Sequence, residues 1–270
     1  MVREFDFYVV PTPIGNIQDI SIRAIEVLKA VDLIACEDTR TTQKLLNHYD
    51  IKTKCISYHK YNERERVNFF VSELNSGKKI ALVSDAGTPM ICDPGNVIIK
   101  ELSEHGYSIT ALPGACAFTT LLSRIPRESE EFCFIGFIPR NENQIKNLIN
   151  KYVDKNLVFY DSPERILKTL SIIKQNRTDA KIALGRELSK LFEEVTIDSV
   201  SNVLEHYKDG IKGEVVCMLY ASDNSEQANI ENKIRLLKAK KYSDKDISII
   251  LSTLYEINKN SIYQMSLDIN

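Results

Sequence analysis

The chain has 270 residues, enough for one large or two medium domains, and 43% hydrophobic with 27% charged residues is the composition of a soluble globular protein. No stretch approaches eighteen uninterrupted apolar residues, and the opening MVREFDFYVV lacks the apolar core of a signal peptide, so no membrane and a cytoplasmic location are expected. The net charge of −2 argues against a chain that coats nucleic acid everywhere, and six scattered cysteines with no C-x-x-C argue against a zinc site or disulfide framework, so no metal is expected.

In chain order, FYVVPT reads as a strand and ISIRAIEVLKAV as a helix with Ile22, Ile25 and Leu28 on one face and Asp19 and Ser21 as available caps. The pattern repeats with VDLIACED (strand), RTTQKLLNHY (helix), KCISYH (strand), ERERVNFFVSELNSG (helix), KIALVSD (strand), NVIIKELSEHG (helix) and SITALPG (strand). Strands alternating with helices of about ten to fifteen residues predict βαβ units and a mostly parallel sheet. Such a sheet binds ligands beyond the carboxyl ends of its strands.

After the helix-like CAFTTLLSRI comes the polar PRESEEF, which opens with Pro126 and marks the junction. FCFIGFIP and NLVFYDS are strands around the helix NENQIKNLINKYVD, and SPERILKTLSIIKQ is a further helix. AKIALGREL, FEEVTID and GEVVCMLYA complete a second α/β unit, with a helix around 200–207 and neighbouring strands able to pair antiparallel. From Asn229 the chain is helical. The expected fold class is therefore α/β with two α/β domains, divided as 1–117 (parallel sheet), 118–224 and a helical segment 225–270. Two stretches are candidate polyanion-facing surfaces: 165–190, with seven basic residues against two acids, and 233–245, with six against one.

Chemical motifs narrow the function. There is no G-x-x-x-x-G-K-[ST], no G-x-G-x-x-G after a strand and no G-x-S-x-G elbow. What remains is a set of strand-end loops that mix backbone permissiveness with charge: PTPIGN (11–16), EDTR (37–40), SYHKYNER (57–64), SDAGTPMICDPG (84–95) and LPGACA (112–117). Their glycines allow close backbone approach to a ligand, and their prolines fix it. The pair Glu37 and Asp38 beside Arg40 is either a salt-bridged helix cap or an acid/base and substrate-orienting cluster. Arg186, Glu187 and Lys190 of GRELSK either clamp a phosphate or cap a strand end.

VxTPIGNxxDxSxRAxxxL, CEDTR, SYHxxNE, ALVSDAGTPxIxDPG, LPG, GFIP, FYxSPxRI, RELSKxFEE and GEVV stand in this order along residues 8–221. In them the sequence resembles the small-subunit ribosomal RNA methyltransferase I family, of the tetrapyrrole-methylase-like (class III) S-adenosylmethionine enzymes. The resemblance implies two α/β domains with S-adenosyl-L-methionine folded in the cleft between them, and a homodimer. It also implies methylation of a cytidine ribose 2′-oxygen in the decoding region, with 16S rRNA or the assembled small subunit as partner. On this basis Thr12, Asp85, Gly87, Thr88, Met90, Ile91, Gly114, Cys116, Ala117, Tyr160, Arg186 and Glu214 are expected at the cofactor, several through backbone alone. Glu37, Asp38, Arg40 and Lys190 are expected at the target nucleotide, with one of the acids or a neutral Lys190 as base. Asp93, before Pro94, reads as a turn residue or helix cap. Cys92 in place of Ser, PGACAF in place of PGPSA and Glu164 in place of His depart from the family pattern. A small-molecule methyltransferase and a non-catalytic RNA-binding protein of the same fold are the alternatives.

Overall fold

The apolar runs of the first half form a parallel sheet whose three central strands are buried on both faces, as cover by crossover helices requires, and whose edge strands are partly exposed. In the computed structural model, which describes residues 4–127, 129–222 and 225–269, the strands are β1 (Phe7–Val9), β2 (Leu33–Cys36), β3 (Lys54–Ser57), β4 (Ile80–Val83) and β5 (Ile109–Ala111). All are parallel, in the order β3-β2-β4-β1-β5. Helices α1 (Ile22–Ala30) and α2 (Thr39–His48) cover one face through Leu28 and Leu46, while α3 (Glu63–Asn75) and α4 (Asn96–Glu104) cover the other through Phe70, Leu74, Ile98 and Leu102.

The start of α1 differs from expectation. Ser21 is its cap, accepting from the Ala24 amide, an arrangement worth about 1 kcal/mol. Asp19 lies instead in a short 3-10 turn capped by Asn16. Ile22, in the first turn, is 77% exposed, and the buried stripe is Ala24 and Leu28, one turn apart.

The second half contains α5 (Ala117–Arg124), β6 (Phe132–Phe137), α6 (Glu142–Lys151), β7 (Asn156–Asp161), α7 (Ile166–Asn176), β8 (Lys181–Arg186), β9 (Glu194–Ser199), α8 (Val200–His206) and β10 (Val215–Leu219). The sheet order is β6-β7-β10-β8-β9, with β6 and β7 parallel and the other neighbours antiparallel. One face packs under α6, α7 and α8 through Ile149, Leu170 and Val203. The other receives α5, whose Leu121 and Leu122 pack with Val158, Ala183 and Met218. The chain leaves β5 and at once joins the core of the second sheet.

Helices α9 (Ser225–Ala239), α10 (Asp244–Tyr255) and α11 (Lys259–Asp268) share a small core of Ile230, Ile234, Ile247, Leu251 and Ile262. Among the described residues no helix is long and apolar enough to cross a membrane. In the stretch 165–190 four of the seven basic residues are engaged internally, Arg165 with Asp161, Arg177 with the Tyr220 carbonyl, Arg186 with Glu194, and Lys190 with Glu187 and Glu214, while Lys168, Lys174 and Lys181 are exposed. In 233–245, Arg235, Lys240, Lys241 and Lys245 are exposed.

Candidate functional site

The strand order decides which loops can meet. β4, β1 and β5 are neighbours, so the loops after them converge, whereas those after β2 and β3 lie to one side. The converging loops are tied by their own backbone. Thr12 and Gly87 exchange both N–H···O bonds, at 2.9 and 3.0 Å. The Thr12 hydroxyl donates to the Ser84 carbonyl at 3.0 Å, and the Thr88 hydroxyl donates to the Ala115 carbonyl at 2.9 Å. Gly87 has φ +81°, a conformation that side chains disfavour.

From the second sheet the antiparallel β10 brings its start against the ends of β7 and β8, with Val215 opposite both Asp161 and Arg186. The loop after β8 then reaches back to the first half. The Asn16 amide donates to the Ser189 hydroxyl at 3.0 Å, and a Cβ on Gly15 would stand 2.9 Å from the Leu188 carbonyl oxygen. Only a glycine lets the two loops approach so closely.

Between the halves lies a cleft of 420 Å³, in the range of small-molecule sites. Asp85, Gly87, Thr88, Ile91, Cys116, Ala117, Tyr160 and Glu214, all expected at the cofactor, line it. The rest of the cofactor set stands behind the lining. Thr12 is buried in the loop tie, and Met90 packs against Gly95 and the α3–α4 core. Gly114 closes on Pro11, and Arg186 turns to Glu194.

None of Glu37, Asp38, Arg40 and Lys190 is among the residues lining the cleft. Asp38 caps α2 through the Arg40 amide at 2.8 Å and pairs with the Arg40 side chain at 2.7 Å, so the salt-bridged cap describes this acid. Arg40 holds its carboxyl down at about 2. Lys190 is drawn down by burial, but the hydrogen bonds it donates to Glu187 and Glu214 outweigh this and hold it above the ordinary lysine range. It is a bound ammonium here, the opposite of what a base requires. Asp93 is no cap: Gly95 holds the N-cap position of α4 and no side chain caps that helix.

A family model described as Tetrapyrrole (Corrin/Porphyrin) Methylases matches residues 6–204. A relative from Haemophilus influenzae named "Ribosomal RNA small subunit methyltransferase I" is 38% identical over 270 residues, 96% of this chain and 95% of its own length. One of the same name from Bacillus subtilis is 40% identical, covering 89% and 84%. The chain belongs to the ribosomal RNA small subunit methyltransferase I family. Among solved structures it resembles diphthine synthase (TM-score 0.64, 16% identity, 83% of this chain and 94% of that one) and the cobalamin biosynthetic enzyme cobalt precorrin-4 methyltransferase (TM-score 0.61, 14% identity, 79% and 94%). A Thermus thermophilus uroporphyrin-III C-methyltransferase solved as a complex with S-adenyl homocysteine also matches (TM-score 0.57, 16% identity, 79% and 96%).

The cofactor of this methyltransferase family is S-adenosylmethionine, and the lining fits it. Ile14, Leu188 and Val216 offer apolar wall for a nucleoside, and the main chain at Gly87 is unobstructed by a side chain. Asp85 and Glu214 add negative charge suited to a sulfonium and an ammonium. Several lining residues were not among those expected. Ile14 lies in the loop PTPIGN, Phe137, Gly185 and Val216 lie in strand patterns, and so does Asp161, locked by Thr169 at 2.6 Å and Arg165 at 2.7 Å. Of the family departures, Cys92 and Cys116 line the cleft, whereas Glu164 is exposed at the start of α7 and outside the lining.

Proposed function

We propose that this chain transfers the methyl group of S-adenosylmethionine to the ribose 2′-oxygen of a cytidine in the decoding region of small-subunit rRNA, as a cytoplasmic homodimer. The observation that carries the reading is the extent of the likeness. The Haemophilus influenzae rRNA relative covers 96% of the chain, whereas the tetrapyrrole-methylase model ends at residue 204, before the C-terminal helices. A macrocycle enzyme has no need of a basic helical appendage.

When bound, the cofactor supplies an electrophilic methyl on a positively charged sulfur. The chain's own task is alignment, because an in-line displacement depends mainly on placing nucleophile, methyl and leaving group. Gly87, Thr88, Cys116, Ala117 and Tyr160 hold the cofactor's body, and Asp85 and Glu214 meet its charged groups. Thr12, Met90, Gly114 and Arg186 act behind them, by fixing the loops. Glu37 and Arg40 flank the entrance on the β2 side and face the target nucleotide, and Lys190, closing the β8 loop, is the cation near a phosphate.

The test is incubation of the enzyme with methyl-labelled S-adenosylmethionine and small subunits lacking the modification, with the label mapped by nuclease digestion. Label on a ribose 2′-oxygen in the decoding region is expected. Cofactor binding by calorimetry without label on any subunit would overturn the rRNA reading in favour of a small-molecule acceptor.

A further inference from the structure

Four carboxylates line the cleft: Asp85, Asp93, Asp161 and Glu214. Three are committed. Asp85 accepts from the Asp38 amide at 3.1 Å, Asp161 is bound by Thr169 and Arg165, and Glu214 holds Lys190 at 2.9 Å. Asp93 is half-buried and has no hydrogen bond or ion pair among the described residues. A carboxylate withdrawn from water without a partner costs stability, and a fold retains one where the group has other work.

We propose that Asp93 is the catalytic residue that takes the proton of the acceptor hydroxyl during methyl transfer. The proposal rests on the 2′-O-methylation reading above. In the step, the acceptor oxygen forms its bond to the methyl carbon as the carbon–sulfur bond breaks, and the sulfur leaves as a neutral thioether with that electron pair. The hydroxyl proton passes to a carboxylate oxygen of Asp93, so the positive charge of the sulfonium and the negative charge of Asp93 cancel in the products. The proton later returns to solvent through the open cleft.

The surroundings suit this task. Burial pushes the Asp93 carboxyl up to about 6, aided by Glu37 at the end of β2 and Asp85 after β4. The adjoining Cys92 is itself pushed up to about 11, by burial and then by Asp93, and so remains an uncharged thiol. A base with affinity near the working pH transfers protons more effectively than an ordinary carboxylate. Pro94 and the buried Gly95, whose amide donates to Glu63 at 3.0 Å, fix the backbone that carries it. Of the competing bases, Asp38 and Lys190 are held by their ion pairs, and Glu37 stands outside the residues that line the cleft.

The test compares wild type, Asp93→Asn and Glu37→Gln by calorimetric cofactor binding and by single-turnover methylation of unmodified small subunits across pH 4.5–9. The expected Asp93→Asn variant binds the cofactor within about threefold of wild type and transfers methyl at least about a hundredfold more slowly. Its profile loses the acid limb that wild type shows at or below about pH 6. In Glu37→Gln the limb persists and moves to lower pH, because one of the charges that raises Asp93 is gone. A wild-type rate, or a retained acid limb, in Asp93→Asn overturns the proposal. Loss of cofactor binding along with rate also overturns it, and makes Asp93 a loop-forming residue. Failure of wild type itself to label a ribose oxygen overturns the 2′-O reading, and this proposal with it.

Discussion

An unpartnered acid in a folded protein reveals itself through stability as well as rate. Asp93 binds its proton more tightly in the folded state, at about 6, than in the unfolded chain at about 3.9. As pH rises from about 4 to 6 the unfolded state releases this proton first, so stability falls across that window and stays reduced above it. Discounted for partial solvent screening, the deficit is about 1–2 kcal/mol. Asp93→Asn is therefore expected to unfold at higher denaturant than wild type at pH 7 and equally at pH 4, which paired urea titrations would check. A glycine gives the converse case. Gly15→Ala places a methyl group against Lys190 and the Leu188 carbonyl. Such overpacking costs about 1–3 kcal/mol, here by parting the two loops, and calorimetry should find cofactor affinity reduced about tenfold or more. The role of neither residue could be read from its neighbours in sequence. Asp-Pro-Gly before a helix suggests a cap, and only the fold shows that Gly95 takes that position and leaves the acid facing the cleft.

At the scale of elements the sequence was far more informative, because hydrophobic period and loop chemistry are local properties. Each strand and helix expected from periodicity is present, including the three C-terminal helices. Glycine and proline marked the strand-end loops, yet which of them share a cleft depends on strand order. The order β3-β2-β4-β1-β5 is set by pairing between distant segments, and so EDTR and SYHKYNER, as rich in charge as the others, flank the cleft instead of lining it. The strand ends of the second sheet were missed for a related reason: Phe137, Gly185 and Val216 are apolar, and nothing local separates an apolar wall from a core. Basic residues have the same ambiguity. Four of the seven in 165–190 are spent on internal carboxylates and carbonyls and three, Lys168, Lys174 and Lys181, are exposed, whereas Arg235, Lys240, Lys241 and Lys245 are exposed together on a helical unit with its own small core. Removing that unit by ending the chain at residue 224 is expected to weaken RNA binding by at least tenfold and leave cofactor affinity unchanged. Loss of both would make the helices a structural support.

For the whole molecule, the proposed substrate is a polyanion and the protein carries a net charge of −2, so attraction must come from local surfaces. RNA affinity should fall steeply with salt, log Kd rising by about 0.7–0.9 for each tenfold increase in salt per phosphate neutralised. Filter binding between 50 and 300 mM salt should give a shallower slope for the chain ending at 224 than for the full chain. The sheet order has one further consequence. β1 precedes both of its partners in the chain but sits between β4 and β5, pairing Phe7 with both Ile80 and Ile109. It is made about a hundred residues before its second edge can be covered. Closure over so long a loop is slow, and a waiting edge strand is prone to pair with other chains. A protein whose proposed target is the ribosome thus carries an unpaired strand while it is itself being made there, and depends on the later arrival of that strand's neighbours to be completed.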